Sequence, residues 1–342
     1  MFTDIPSAIE DGRSYVTTVA GCYIFVALTL PFECALRATQ QTHYPLFASI
    51  FAFSSNTFLN FVFIFGHLGV PAMGIRGAAL ATVISRGVQM LIIYLIVFAR
   101  KNIISDNFLR FFGWKKGFVG RIVKNSIPTT LNESLWGLGT AMYVAAYARI
   151  GITEYATVQA ATTIQNIVSM AAFSMGDAVL ILVGQRLGRG LLEEAFGLAK
   201  RLVKIALMIG ILFGLLLIAI AKPMVSLFNF TPEGSHLAFL ILVVMGGSLW
   251  LVVVNAVNIT GTLRCGGDTR FAMFSEVGAV WLIGVPMAFL SSLVFQWPVY
   301  FCVLAVKSEE VVKGIFLTVR FFSGKWVRNV IDDLKIKGDS SK

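Results

Sequence analysis

The sequence has few of the residues from which metal centres and disulfide frameworks are built. It contains four cysteines among 342 residues, and none of them forms a Cys-x-x-Cys pair. The three histidines, His43, His67 and His236, lack the spacing of zinc ligands. A metal centre is therefore not expected. The cysteines all lie in or beside apolar blocks, and we interpret them as small packed side chains.

Motifs of the common catalytic sites are also missing. There is no GxxxxGK[ST] loop, which argues against a built-in ATPase. There is no GxSxG nucleophile elbow and no HExxH helix, and no nucleophile–base pair of an intramembrane hydrolase stands out. The sequence therefore predicts a protein that is not an enzyme and needs no cofactor. If it pumps, its energy source is an ion gradient.

Charge is scarce as well. Charged residues make up 13% of the chain and hydrophobic residues 57%, whereas soluble domains are about 45–50% apolar. The excess comes in blocks long enough to cross a bilayer. The net charge of +10 comes from basic residues between these blocks, which favours contact with membrane lipids over nucleic acid. The acidic start of the chain, with Pro6, lacks the features of a signal peptide.

The apolar blocks predict nine transmembrane helices, because a spanning segment must satisfy its own backbone groups. Lys and Arg concentrate in the connections after odd-numbered spans, and those after even-numbered spans carry only Arg76 and Lys222, apart from Arg149 at the end of the fourth span. The positive-inside rule then predicts an outside N-terminus and a cytoplasmic C-terminus in the cell membrane. The predicted spans are 15–33, 44–66, 77–98, 127–149, 157–183, 203–221, 236–258, 271–291 and 296–319.

Two similar loops indicate an internal repeat. The loop LRATQQT at 36–42 precedes the second span, and LRCGGDT at 263–269 precedes the eighth. Superposing them places spans one to three on spans seven to nine. Repeats with an even number of spans share one orientation and are related by an axis along the membrane normal. Spans four to nine then form a six-span lobe, while spans one to three match only the second half of such a lobe, so three more spans are expected upstream of Met1.

This repeat predicts the domain organisation. Residues 1–98 form the second half of the first lobe, and residues 127–322 form the second lobe. Between them, 99–126 is a basic cytoplasmic connection whose aromatic stretch is typical of an interfacial segment. Residues 323–342 form a basic cytoplasmic tail.

Further motifs accompany the two loops. They are Asn56 with Asn60, GHLGV at 66–70, GAALAT at 77–82, Pro128, Asn132-Glu133 with Trp136, and VGQ at 183–185 with Gly188. Together they resemble the bacterial branch of the MATE (multidrug and toxic compound extrusion) family over essentially the whole chain. The resemblance implies two six-span lobes that exchange organic cations or related drugs for sodium ions or protons. The chain resembles a member that begins just before the fourth helix.

Ionisable side chains inside spans are costly and are therefore candidate functional groups. Glu133, preceded by Asn132, could hold a sodium ion or take up a proton, and one MATE subgroup carries a cation-binding acid on the corresponding helix. Asp177 and Glu276 are further candidates, since the seventh span lacks the aspartate that many family members carry there. The alternatives are structural: a helix cap, an ion pair, or a carboxylate at a cavity mouth.

Amide side chains in the spans predict either the lining of a polar cavity or hydrogen bonds between helices. They form three closely spaced pairs: Gln159 and Asn166, Asn255 and Asn258, and Asn56 and Asn60. Hydrogen bonding between helices is favoured for the first and third pairs. Glu309 and Lys313 have i,i+4 spacing and are interpreted as a structural ion pair.

The sequence therefore predicts an all-α membrane protein that is a monomeric cation-coupled antiporter. It would export drugs or organic cations across the cytoplasmic membrane in exchange for Na+ or H+. One alternative is an N-terminally truncated fragment that does not transport. Another is a flippase for lipid-linked substrates, which would need basic residues inside the cavity. The main cations within the predicted spans are Arg86 and Lys307.

Overall fold

The computed structural model describes residues 6–99 and 116–328 and divides the chain into two compact units, Met1–Lys115 and Lys116–Lys342. Every regular element among the described residues is a helix. The predicted all-α fold is confirmed. Residues 100–115 of the predicted connection and 329–342 of the predicted tail lie outside the described residues.

The first unit is a small group of helices. Its helices are α1 (Pro6–Val19), α2 (Cys22–Ala38), α3 (His43–Phe65) and α4 (Gly74–Tyr94), and α4 continues as a π-helical segment, Leu95–Ala99. α3 ends at Gly66, whose φ of +76° is the left-handed conformation that favours glycine after a helix. A small core of Leu36, Ala48, Ile93 and Val97 joins α2, α3 and α4.

The second unit contains the longer helices. They are α5 (Lys116–Ala148), α6 (Ile152–Gly188), α7 (Leu192–Val225), α8 (Pro232–Ala256), α9 (Thr269–Ala279), α10 (Val285–Phe289), α11 (Val299–Val306) and α12 (Ser308–Phe322). π-helical segments at Val257–Leu263, Val280–Gly284 and Leu290–Val294 extend α8, α9 and α10. α8 begins with Thr231 as its N-cap, whose hydroxyl accepts a hydrogen bond from the Gly234 amide at 3.2 Å, and with Pro232 in the first turn.

Seven helices in the described residues are long and apolar enough to cross a membrane. They coincide with seven of the nine predicted spans. The fourth predicted span lies in α5, which is 33 residues long but carries polar residues such as Asn132 and Glu133. The ninth is divided at Lys307 into α11 and α12, of 8 and 15 residues, so neither part is long enough alone.

Glycines let α7 and α8 pack closely. Gly210 and Gly214 lie one turn apart on α7, the small-residue spacing that brings transmembrane helices together. A Cβ at Gly214 would stand 2.4 Å from the carbonyl oxygen of Gly246 on α8, and one at Gly210 would stand 2.7 Å from Cα of Trp250. Only residues without a side chain fit at this crossing.

Two hydrophobic cores fill opposite ends of the second unit. One contains Ile164 of α6 and Leu242 of α8. The other contains Leu187, near the end of α6, and Leu263, at the end of the π-helical extension of α8. The second core includes Trp326, which follows α12 and is fully buried. Along the chain, Asn255 lies between Leu242 of one core and Leu263 of the other, and Glu310 lies between Val303 and Leu317, so these polar residues fall between the two cores.

The loop LRCGGDT is anchored to the segment after α12. The Trp326 ring stacks on Phe321 with centroids 5.8 Å apart, and a Cβ at Gly266 would overlap the Trp326 carbonyl oxygen. Asp268 accepts a hydrogen bond from Nε of Arg320 at 2.6 Å. Burial raises the pKa of the Cys265 thiol to about 12, so this thiol stays protonated at neutral pH, as expected of a packing residue.

Candidate functional site

A cavity of about 290 Å³ opens among α5, α6, α8 with its π-helical extension, α9 and α12. Four carboxylates and two cations line it, together with an amide and two aromatic rings. The carboxylates are Glu133, Asp177, Glu276 and Glu310, the cations are Arg264 and Lys313, and the others are Asn255, Trp136 and Phe173. With all of these groups ionised, the lining is formally negative, which suits a cationic ligand.

Glu133 lies at an exposed position of the lining. Its Oε1 is 2.5 Å from Nη2 of Arg264, and its side chain is 55% exposed. Arg264 belongs to the LRCGGDT loop, so this pair links α5 to the end of the π-helical extension of α8. The strongest sequence candidate is therefore an ion pair at the edge of the cavity.

Glu276 is held from behind by Asn132. Asn132 Nδ2 donates a hydrogen bond to Glu276 Oε2 at 2.6 Å, and Asn132 is only 2% exposed. Asn132 Oδ1 is buried and has no hydrogen-bond partner among the residues that the structure describes. Leaving a buried acceptor without a partner costs about 1–3 kcal/mol, and a bound cation or water would relieve that cost.

Glu310, Lys313 and Asn255 form a connected group between α12 and α8. Lys313 Nζ is 2.9 Å from Glu310 Oε1, while Asn255 Nδ2 donates to Glu310 Oε2 at 2.7 Å and to the Glu310 carbonyl oxygen at 2.9 Å. Asn255 Oδ1 is a second buried acceptor without a partner in the described ranges.

This group corrects the sequence-based interpretation of α12. Lys313 is ion-paired with Glu310 at i,i+3, rather than with Glu309 at i,i+4. Glu309 accepts a hydrogen bond from the Tyr143 hydroxyl of α5. Because α12 begins afresh at Ser308, Glu309 and Glu310 both lie in its first turn and bond to different helices.

The other predicted residues lie elsewhere. Gln159 and Asn166 are exposed on α6 and are not among the residues that line the cavity. Asn258 is buried, and its Oδ1 accepts a hydrogen bond from the Thr262 hydroxyl one turn away at 3.3 Å. Asn56 and Asn60 belong to the first unit, where Asn60 Nδ2 donates to Asn56 Oδ1 at 3.0 Å within α3.

Comparison with known proteins shows similarity to one family. Residues 126–290 match the MatE family model. Similarity to multidrug resistance proteins extends over most of the chain. A probable multidrug resistance protein NorM of Thermotoga maritima is 23% identical over 339 residues, which cover 97% of this chain and 71% of that protein. Multidrug resistance protein MdtK of Yersinia enterocolitica is 26% identical over 249 residues, or 69% of this chain and 51% of that protein.

Solved MATE structures share the fold. An outward-facing multidrug resistance MATE family transporter of the MOP superfamily superposes with a TM-score of 0.80 at 18% identity, over 94% of this chain and 72% of that chain. A MATE in complex with MaL6 gives a TM-score of 0.80 at 17% identity, over 91% and 70%. The membrane-length apolar helices and the similarity to these transport proteins indicate that this chain is a multi-pass membrane transport protein and not an enzyme.

The first unit of this chain holds a buried acid that sequence reasoning missed. Glu33 is 6% exposed and accepts a hydrogen bond from Gln89 Nε2 at 2.8 Å, while Arg86 donates to Gln89 Oε1 at 2.7 Å. Arg37 lies 3.6 Å from the other carboxylate oxygen of Glu33. Glu33, Arg86 and Gln89 border a cavity of about 160 Å³. An acid at the end of the first predicted span, four residues before Arg37, was the signal available in the sequence.

Proposed function

We propose that this chain is a cation-coupled antiporter that exports drugs or organic cations across the cytoplasmic membrane in exchange for Na+ or H+. The observation that carries the proposal is the second unit's cavity, in which four carboxylates outnumber two cations. The rings of Trp136 and Phe173 in the same lining offer faces on which a lipophilic cation can rest. The names of the multidrug resistance relatives support the substrate class.

Glu276 is the group that we assign to coupling. It is a cavity-lining carboxylate backed by Asn132, whose buried carbonyl oxygen has no partner in the described part of the chain. Hard cations prefer such oxygen ligands, and a carboxylate can equally take a proton. Antiport follows if the coupling ion and the organic cation compete for this negative charge, since the site then holds one or the other.

Transport by the purified chain in proteoliposomes tests this assignment. A fluorescent monovalent organic cation is loaded, a Na+ or H+ gradient is imposed, and the rate of its exchange is measured. Glu276→Gln should lower the gradient-driven rate at least about 10-fold, the effect of losing about 1.4 kcal/mol of cation binding. Glu233→Gln, an exposed acid in the first turn of α8, is the matched control and should transport normally.

Two results would count against the proposal. Gradient-driven exchange that is equal in the wild type and in Glu276→Gln would remove Glu276 from coupling. A folded wild-type chain that exchanges no organic cation under either gradient would favour the alternative of a non-transporting fragment.

A flippase for lipid-linked anions is the less favoured alternative. Both cations of the cavity are already paired with acids, Arg264 with Glu133 and Lys313 with Glu310. An anionic headgroup would have to break these pairs and face the remaining carboxylates. Competition by a lipid-linked anion against binding of the organic cation would be required to revive this function.

A further inference from the structure

Lys313 places a basic side chain inside the second unit. The residue is 3% exposed, and it lines the same cavity as Glu276 and Glu310. An ammonium group is costly to bury in a membrane protein unless it is paired. The ion pair with Glu310, at 2.9 Å, meets that requirement. A tethered cation thus occupies part of a cavity that is otherwise suited to mobile ones.

Glu310 is fully engaged by its neighbours. One carboxylate oxygen pairs with Lys313, and the other accepts the hydrogen bond from Asn255 at 2.7 Å. The Asn255 amide is itself fixed, because its Nδ2 also donates to the Glu310 carbonyl oxygen at 2.9 Å. Each carboxylate oxygen of Glu310 therefore already has a partner, and its charge is balanced by Lys313.

Glu276 has a different environment in the same cavity. Its hydrogen-bond partner is Asn132, at 2.6 Å, and no Lys or Arg of the described residues lies within ion-pair distance of it. Lys313 acts on Glu276 only through space, as it also acts on Glu309. Glu309 is not among the residues that line the cavity and is held by Tyr143. Glu276 is thus the partly buried carboxylate of the lining that has no ion-pair partner among the described residues.

The remaining charged groups of the lining are at its exposed side. Glu133 and Arg264 neutralise each other at 2.5 Å, and Asp177 is exposed on α6. The less exposed part of the lining thus has two carboxylates, the partly buried Glu276 and the buried Glu310, and one fixed cation, Lys313.

We propose that Lys313 is a specificity-determining counter-cation, which removes Glu310 from ion exchange and limits the buried site to one monovalent cation at Glu276. The inference rests on the proposed function, because it takes Glu276 as the exchanging group. Lys313 also denies a divalent cation the second carboxylate that it would need in the same cavity. Removing its charge should therefore open Glu310 to a further Na+ or proton.

Cation counting on the purified full chain tests this role. Binding of radioactive sodium is measured by equilibrium dialysis, and titrating protons are counted by potentiometry between about pH 5 and pH 9. Lys313→Met should gain one exchangeable cation per chain, seen as one more bound Na+ or one more titrating proton. Lys325→Met, an exposed lysine after α12, is the matched control and should match the wild type.

A second variant makes the opposite prediction. Glu310→Gln leaves the Lys313 ammonium without its partner. The unpaired ammonium then interacts more strongly with Glu276 and should weaken Na+ binding there at least about 10-fold. The double variant Glu310→Gln with Lys313→Met removes both charges together and should return to the wild-type stoichiometry and affinity. This pair decides the matter even if Lys313→Met fails to fold.

Unchanged cation counts in Lys313→Met, or wild-type Na+ affinity in Glu310→Gln, would overturn the role of Lys313 and leave a purely structural ion pair. Failure of the proposed function would look different. In that case Glu276→Gln would bind Na+ as the wild type does, whatever Lys313 contributes.

Discussion

At the scale of single residues, Glu133 and Glu276 illustrate how two acids of one cavity take different roles. Glu133 is more than half exposed and paired with Arg264, whereas Glu276 is backed by a buried amide. Exposed ion pairs contribute about 0–1 kcal/mol to stability. The Glu133–Arg264 pair therefore affects the charge of the cavity lining more than the stability of the fold.

Glu133→Gln is therefore expected to change substrate affinity rather than folding. The unpaired Arg264 would repel an organic cation, and the KM for its transport should rise about 5-fold, which corresponds to about 1 kcal/mol. The free energy of unfolding should fall by less than about 1 kcal/mol. Transport assays and denaturant titrations measure the two quantities.

The double variant Glu133→Gln with Arg264→Gln serves as the control for that prediction. It removes the repelling charge and should recover most of the affinity. A KM that stays raised in the double variant would mean that Glu133 contacts the substrate directly.

At the scale of elements, the crossing of α7 and α8 depends on the absence of side chains. Gly214 approaches the carbonyl oxygen of Gly246 so closely that a Cβ would stand 2.4 Å from it. A backbone carbonyl group cannot change rotamer as a long side chain can, so an added Cβ would force the two helices to separate. α8 carries Asn255, and its displacement would also reach the cavity.

Gly214→Ala should therefore destabilise the second unit by about 1–3 kcal/mol, the usual cost of overpacking. Gly197→Ala on the same helix has open space around its Cβ and is expected to be neutral or slightly stabilising. Thermal unfolding of the two variants in detergent measures the difference. Equal unfolding temperatures would show that the crossing tolerates a methyl group.

The sequence predicted the elements better than the partners of their side chains. The length of the apolar segments located seven spans correctly, because the thickness of the bilayer sets the length of a spanning helix. The same rule overlooked the break at Lys307, which depends on local hydrogen bonds such as that from the Ser308 hydroxyl to the Ala305 carbonyl oxygen at 2.7 Å.

Partners of the polar side chains could be predicted only in part. Glu133, Asp177, Glu276 and Asn255 were singled out because polar groups in spans are rare, and they line one cavity. Periodicity misassigned the partner of Lys313, and Glu33 was overlooked at the end of its span. Which of two neighbouring acids meets a given cation depends on the rotation of helices distant in sequence, and the sequence alone does not reveal that rotation. The predicted domain boundaries and the functional roles stay predictions.

At the scale of the whole molecule, the second unit is completed by a residue beyond its last helix. Trp326 is fully buried in the same core as Leu187 and Leu263, and its indole Nε1 donates to the Phe321 carbonyl oxygen at 3.0 Å. Residues 323–328, which follow α12, therefore belong to the folded unit.

Trp326→Ala is expected to destabilise the second unit by about 3–5 kcal/mol, because it leaves a large cavity in a packed core. Trp297→Ala, at a ring that is 42% exposed, should cost much less. Thermal unfolding followed by the fluorescence of the remaining tryptophans compares the two. A similar loss in both variants would mean that Trp326 is not a core residue in the folded protein.

The position of Trp326 also bears on how the protein is made. A ribosome delivers the helices in chain order, so Leu187 and Gly266 are synthesised well before the indole that covers them. Until residue 326 has emerged, the end of the second unit that contains Leu187 and Leu263 leaves apolar surface exposed to chaperones and quality-control proteases. A premature stop just after α12 would keep the described helices of this unit, yet we expect the product to be degraded as an unfinished protein.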